Sequence, residues 1–267
     1  MASSFTEPGI LVIAHTRPSH LAAVLESLRR QNATRFVQLW IDGHQSKQRY
    51  IRSVTECQEV AAQYPEVSLT ALNGNLGIDK LMLDALSSMC SRFEEIIVLE
   101  DDCFPTANAI ASFSSALAGI RDLPEMFSVY GHHFLVPGED DFFPRFQGWG
   151  WATWSHKLIP LLSQAKQCLA MSEPEYIRWV APLLTDDVRA RLSATPGRYP
   201  PAEHYFSWDA LFAALTASRR LCHRRTPTRV IFNCGIGKDG MRFPYADKFR
   251  RPPFNMISVE EVWDHFE

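Results

Sequence analysis

Ile96-Ile97-Val98-Leu99-Glu100-Asp101-Asp102 is the stretch on which the fold turns. Four consecutive apolar residues bounded by charge read as a strand buried on both faces, the pattern of a parallel sheet. The strand empties into three carboxylates. In open α/β sheets the carboxyl ends of such strands face the crevice where ligands bind. Adjacent carboxylates repel, and ionising all of them beside an apolar strand is costly. A hard divalent cation with oxygen ligands removes that cost, and Mg²⁺ or Mn²⁺ keeps further positions for diphosphate oxygens. In an extended chain Glu100 and Asp102 point to one side and Asp101 to the other. A turn at Cys103-Phe104-Pro105 would bring all three toward one ligand. The plainer alternative is a solvated strand end followed by a cap for a helix starting near residue 108.

Upstream, apolar runs alternate with helical spacings. Ile10-Leu11-Val12-Ile13-Ala14, Val37-Gln38-Leu39-Trp40-Ile41 and residues 67–72 read as strands. Leu21, Val24, Leu25 and Leu28 mark a helix between the first two, and Ile51, Val54, Gln58 and Ala61 a weaker one. Met82, Ala85, Leu86, Met89 and Phe93 mark a third, and Ile110, Phe113, Leu117 and Ile120 a fourth. Repeated β-α units of this length predict a mainly parallel sheet flanked by helices. Beyond Phe127-Ser128-Val129-Tyr130 the rhythm breaks into a loop rich in glycine, proline and aromatics, 131–154. Helices are expected around 155–170 and 173–192 and from Trp208 to Leu215, with a late strand at Arg229-Val230-Ile231-Phe232 and an irregular tail.

The totals bound the function. A chain of 267 residues, 46% hydrophobic and 21% charged, holds a sizeable core. A net charge of −3 gives no electrostatic case for nucleic acid. No run approaches the roughly 18 apolar residues of a membrane span, and Met1 to Pro8 lack the pattern of a secretory signal. The cysteines at 57, 90, 103, 168, 222 and 234 form no C-x-x-C pair. That argues against a zinc site or a disulfide framework and favours the cytoplasm; the Asn32-Ala33-Thr34 sequon has no use there. Two rival motifs are weak. An apolar strand ending in Asp-Asp resembles a Walker B element, but the phosphate-binding loop that accompanies it is missing. Gly235-Ile236-Gly237-Lys238-Asp239-Gly240 matches G-x-G-x-x-G, yet Phe243-Pro244 prevents it from opening a helix.

Residues 10–18, Asn75-Leu76-Gly77, residues 96–105, residues 148–154 and Ser207-Trp208-Asp209 together resemble the GT-A nucleotide-sugar transferases, in particular bacterial relatives of the N-acetylglucosaminyltransferase I group. The resemblance runs from about residue 9 to about 243. It implies a GT-A type α/β fold, with residues 1–130 as the nucleotide-sugar half and 131–267 as the acceptor and catalytic half of one integrated domain. Arg17 would lie near the base or diphosphate. Asp42 would accept a hydrogen bond from the base, which suits the N–H of uracil. Lys80 would balance phosphate charge, Asp101 would contact ribose or sugar, Glu100 would touch the sugar or orient its neighbours, and Asp102 would ligate the metal. Each has a plainer reading: a loop charge for Arg17, a turn residue for Asp42, a solvated helix start for Lys80.

The aromatic loop, with Trp149, Gly150 and Trp151, would lie beside the transferred sugar, since flat apolar faces stack on sugar C–H surfaces and glycine admits close approach. Packing between the two halves is the alternative for any one Trp. Sugar transfer needs a base for the attacking hydroxyl; the resemblance points to Asp209, whose other reading is a helix cap or first-turn residue. Glu203 and His204 stand nearby. Related sequences carry a His where this chain has Met241 and Arg242, and Arg242 or Lys238 would then neutralise the leaving diphosphate. The basic run 219–225 reads as a solvated helix end, or as a contact for an acidic acceptor or a membrane surface. The reaction so implied is metal-dependent transfer from a nucleotide diphosphate sugar, UDP foremost, to a glycan, glycolipid or protein hydroxyl, with inversion, because no second nucleophile stands out. A non-catalytic binding homologue and a nucleotidyltransferase are the other classes; the latter would want a Gly/Arg-rich loop that His15-Thr16-Arg17-Pro18 does not supply.

Overall fold

The computed structural model describes residues 7–46, 48–134, 142–193, 206–237 and 247–264. Strand β1 (Gly9–Ala14) pairs in parallel with β2 (Val37–Ile41) on one side and with β4 (Glu95–Glu100) on the other. Beyond β2 lies β3 (Ser68–Ala71), also parallel. Side chains of β1 alternate between two cores, as a period of two requires. Ile10, Val12 and Ala14 pack with α1 (Pro18–Arg30), α2 (Gln48–Ala62) and α4 (Ala109–Ala118). Leu11 and Ile13 pack on the opposite face with α3 (Ile78–Cys90), α5 (Ser155–Leu169), α6 (Glu173–Val180), α7 (Asp186–Ser193) and α8 (Trp208–Ser218). In β4, Ile97 and Leu99 serve the first core and Ile96 and Val98 the second. Glu100 therefore leaves the sheet on the α3–α8 side.

The helix between β1 and β2 lies on one face and the helix leading into β4 on the other. The crevice between the carboxyl ends of β1 and β4 is thus a switch point, where such sheets bind ligands. α1 opens with Pro18 at its first position, where a missing N–H costs nothing. It closes at Asn32, whose φ of 55° turns the chain out of the helix.

The second half extends the same sheet. β8 (Trp151–Trp154) lies antiparallel between β4 and β6 (Met126–Tyr130). β9 (Cys222–Arg225) runs parallel beside β6, and β7 (Phe142–Phe143) closes the edge antiparallel to it. Among the described residues the eight-stranded order is β3-β2-β1-β4-β8-β6-β9-β7. The chain is therefore α/β with a mixed, mostly parallel sheet between helices. A separate antiparallel ribbon joins β5 (Cys103–Pro105) to β10 (Ile231–Asn233), and α9 (Val259–Trp263) packs its Val259 and Val262 with Ala23 of α1.

Several sequence expectations change. Residues 151–154 form a strand, not a loop. The basic run contains β9, whose His223 is fully buried, rather than a solvated helix end. The helix expected over 173–192 is two helices separated by a 3-10 turn at Ala181–Leu183, where Pro182 interrupts the hydrogen-bond ladder. The tail carries a short helix.

His223 makes stability pH-dependent. Its Nδ1 lies 2.7 Å from the Ser128 hydroxyl, and burial, then the nearby Arg191, lower its pKa from 6.5 to about 3. The folded protein keeps this imidazole neutral while the unfolded chain protonates it below pH 6.5. Stability is then fully present above that pH and is lost by about 1.4 kcal/mol per pH unit on the way down to about 3. Urea melts from pH 7.5 to 4 are expected to show this slope, and His223→Gln to flatten the difference. Equal pH slopes in the two proteins would refute it.

Candidate functional site

The carboxyl ends of β1, β2, β3 and β4 open into one cavity of about 390 Å³. His15, Thr16 and Arg17 follow β1, Asp42 follows β2, Asn75 and Gly77 follow β3, and Glu100, Asp101 and Asp102 follow β4. The far wall comes from the second half of the chain. Phe146, Gln147, Gly148 and Trp149 precede β8, Ser207, Trp208 and Asp209 begin α8, and Asn233 and Gly235 end the β5–β10 ribbon.

The acidic cluster turns at Asp101-Asp102 instead of at residues 103–105, which form β5. Asp101 is buried, and its amide donates to the Ile13 carbonyl at 2.9 Å. Arg17 spans the pair, donating from one terminal nitrogen to Asp101 and from the other to Asp102 Oδ2 at 2.7 Å. Burial works against its charge, but the two carboxylates more than offset that, so its pKa lies above that of an ordinary arginine. Glu100 faces the opposite balance. Burial first, then the Asp102 carboxylate, with Asp101 and Asp209 adding and Arg17 opposing, push its pKa up to about 8. This balance favours its protonated form, which can donate one hydrogen bond.

Among the described residues no three His, Cys, Asp or Glu side chains form a cage for a metal ion. Asp102 Oδ1 is clear of Arg17, with the Cys103 thiol at 3.7 Å. Across from it Gly235 is packed so closely that a Cβ would fall 2.7 Å from Asp102 Oδ2. This donor set suits a cation that takes a single carboxylate and completes its shell with phosphate oxygens and water, the habit of Mg²⁺.

Asp42 is buried and saturated. Its Oδ1 accepts from the amides of Gly43 (2.9 Å) and Leu76 (2.8 Å). Its Oδ2 accepts from Asn75 Nδ2 (2.9 Å) and the Gly77 amide (3.0 Å). A carboxylate has about four such positions, so this one holds the 75–77 turn and has no acceptor left for a base. Gly43 and Gly74 meet back to back: a Cβ on Gly43 would lie 2.3 Å from the Gly74 carbonyl carbon. His15 and Tyr50 stack above this turn, with ring centroids 6.0 Å apart.

Asp209 is the second residue of α8 and lines the same cavity as the acidic cluster. Its Oδ1 accepts from the Ala210 amide at 2.8 Å and from the Ser207 hydroxyl. The cap role belongs elsewhere: Asp79 of α3 accepts the Trp208 amide at 2.7 Å, tying the head of α8 to α3.

Three expected contacts lie outside the cavity. Lys80 is on the solvent side of α3, paired at i,i+4 with Asp84 (2.6 Å). Trp151 is fully buried in the core behind the cavity, 4.9 Å from Phe146 and 6.4 Å from Trp208 between centroids. Gly150 has φ of +65°, and a Cβ there would strike Ile231 at 2.6 Å, so it serves the turn into β8. Trp149 does reach the cavity, half-buried against His132 and Phe134. Buried Arg145 also lines it; the aromatic loop drew attention in sequence, but this residue carried no signal of its own. Lys238, Met241, Arg242, Glu203 and His204 lie outside the described residues. No helix among the described residues is long and apolar enough to cross a membrane.

No family model matches the chain, and no curated protein matches it. Solved structures do. A mannosyltransferase from Pyrobaculum calidifontis, in complex with GDP-Man and Mn²⁺, is 14% identical over 81% of this chain and 74% of its own, with a TM-score of 0.43. A mannose-1-phosphate geranyltransferase from Thermus thermophilus is 14% identical over 83% and 74%, also at 0.43. A Desulfovibrio desulfuricans protein assigned by its name to the nucleotide-diphospho-sugar transferases is 12% identical over 97% and 95%, at 0.42. A sheet with helices on both faces is what they share with it.

Proposed function

We propose that the chain transfers a sugar from a nucleotide diphosphate donor, UDP-sugars foremost, to a hydroxyl acceptor, with Mn²⁺ or Mg²⁺ as cofactor and with inversion at the anomeric carbon. The observation that carries this reading is that Asp101, Asp102 and Asp209 line one cavity at a sheet switch point, with Asp209 close enough to Glu100 to raise its pKa. Residues 1–130 supply the donor side and 131–267 the acceptor side. The His15–Tyr50 stack and the turn fixed by Asp42 receive the base, so Asp42 acts on the base through the backbone it holds. Arg17 pairs with the diphosphate, Asp102 holds the metal, and Asp101 and Glu100 face ribose and sugar. Bound there, the cation stabilises negative charge on the leaving diphosphate. Asp209 takes the proton of the acceptor hydroxyl. Trp149 offers an apolar face to the sugar ring. A single base facing the leaving group suits inversion.

The test is a panel of nucleotide sugars, each with Mn²⁺, with Mg²⁺ and with chelator, scored by thermal shift and by slow donor hydrolysis. A ligand at 100 times its Kd adds about 2.7 kcal/mol, on the order of 5 °C for a chain of this size. UDP-sugars are expected to give that shift only with metal, and Asp102→Ala to remove it. An equal shift in chelator and in the variant would count against the site.

A further inference from the structure

Arg17 sits on Asp102, the carboxylate that a cation would need, and on its neighbour Asp101. Both ends of its guanidinium fork are engaged, one by Asp101 and one by Asp102. The pair is well shielded, with the Arg17 side chain 16% exposed and that of Asp101 3%. Buried charges are stable only when partnered, and removing one partner is strongly destabilising. A divalent cation arriving alone at Asp102 Oδ1 would share the carboxylate with a fixed positive charge already held on Oδ2, and could gain the second oxygen only by leaving half of the Arg17 fork without a partner. The absence of a three-ligand cage among the described residues means that protein groups alone give such a cation little in return.

We infer that Arg17 is an internal counter-cation, and that the cleft accepts a divalent ion only together with a nucleoside diphosphate. The inference rests on the proposed nucleotide site. Guanidinium groups bind phosphate in the same bidentate manner as carboxylate. A diphosphate entering the cleft therefore offers Arg17 a second partner of equal geometry. As Arg17 moves from Asp102 Oδ2 to a phosphate oxygen, Asp102 is released to the metal, and the metal's remaining positions fall to the same phosphates. Every buried charge stays partnered throughout. Gly235, with no Cβ to crowd Asp102 Oδ2, leaves room for the exchange.

Mn²⁺ uptake read from the free-ion EPR signal tests this without any acceptor or turnover. The wild-type protein is titrated alone and with UDP, GDP, CDP, ADP or dTDP. Binding is expected to be about 30-fold tighter with the matching nucleoside diphosphate, within the usual range of coupling between ligands. Arg17→Met is expected to bind Mn²⁺ alone about tenfold tighter than wild type and to lose most of the nucleotide enhancement. Arg17→Lys, which keeps the charge but not the fork, is expected to fall between them. The wild-type titration stands even if the Met variant fails to fold, which circular dichroism reports. If a nucleoside diphosphate binds but wild type takes up Mn²⁺ equally well without it, the counter-cation role is wrong and the proposed function survives. If no nucleoside diphosphate binds with Mn²⁺, both are wrong.

Discussion

Asp209→Asn is expected to keep donor binding and to lower transfer by about 10²- to 10⁴-fold, the usual contribution of a positioned general base. The asparagine carbonyl can still accept from the Ala210 amide and from the Ser207 hydroxyl, the two contacts that fix the carboxylate now. The head of α8 remains held by Asp79 through the Trp208 amide. What changes is the second oxygen, replaced by an amide that cannot take a proton. Thermal shift with UDP-sugar and metal is therefore expected to match wild type while product formation falls. A variant that transfers at the wild-type rate would remove Asp209 as base.

Trp151→Ala is expected to cost about 3–5 kcal/mol of folding stability, the range for removing a large aromatic from a core. The indole is sealed among Phe127, Phe146, Trp208 and Phe212, and its N–H has no hydrogen-bond partner among the described residues. Trp151→Phe is accordingly expected to be much milder, because it removes that unsatisfied donor along with some volume. Trp149→Ala is the contrasting case: half-buried at the cavity wall, it is expected to weaken sugar-nucleotide binding with a smaller loss of stability. Urea melts and ligand thermal shifts on the three variants separate the two roles. Full stability in Trp151→Ala with lost nucleotide binding would place Trp151 in the site after all.

What could be read in the sequence follows the range of the forces involved. The strands β1 and β4 announce themselves because a strand buried on both faces is apolar nearly throughout, and β2 does so through Val37, Leu39 and Ile41 despite Gln38. α1 and α3 announce themselves through stripes at helical spacing. β8 hides because four buried residues, Trp151 to Trp154, have no alternation and follow a glycine-rich approach. β9 hides because two of its four residues, Arg224 and Arg225, are charged and continue the basic run that begins at the end of α8. At the site, the carboxyl ends of the strands were legible and so were the residues that follow them. The partners were not. Asp42 takes its donors from a turn more than thirty residues away, Arg17 meets Asp101 across 84, and Asp79 meets Trp208 across 129. The i,i+4 spacing of Lys80 and Asp84, by contrast, was local enough to have signalled a surface pair.

The placement of β8 has a consequence for dissecting the molecule. It is the only strand hydrogen-bonded to both β4 and β6 among the described residues, and it comes later in the chain than either. A fragment ending near residue 130 would leave β4 with a bare margin from Ile96 to Leu99 and β6, Met126 to Tyr130, without either of its neighbours. Such margins recruit strands from neighbouring molecules. Expression of residues 1–130 by themselves is thus a route to aggregates, and the missing strands, β8 and β9, are what a second, complementary fragment could supply in trans.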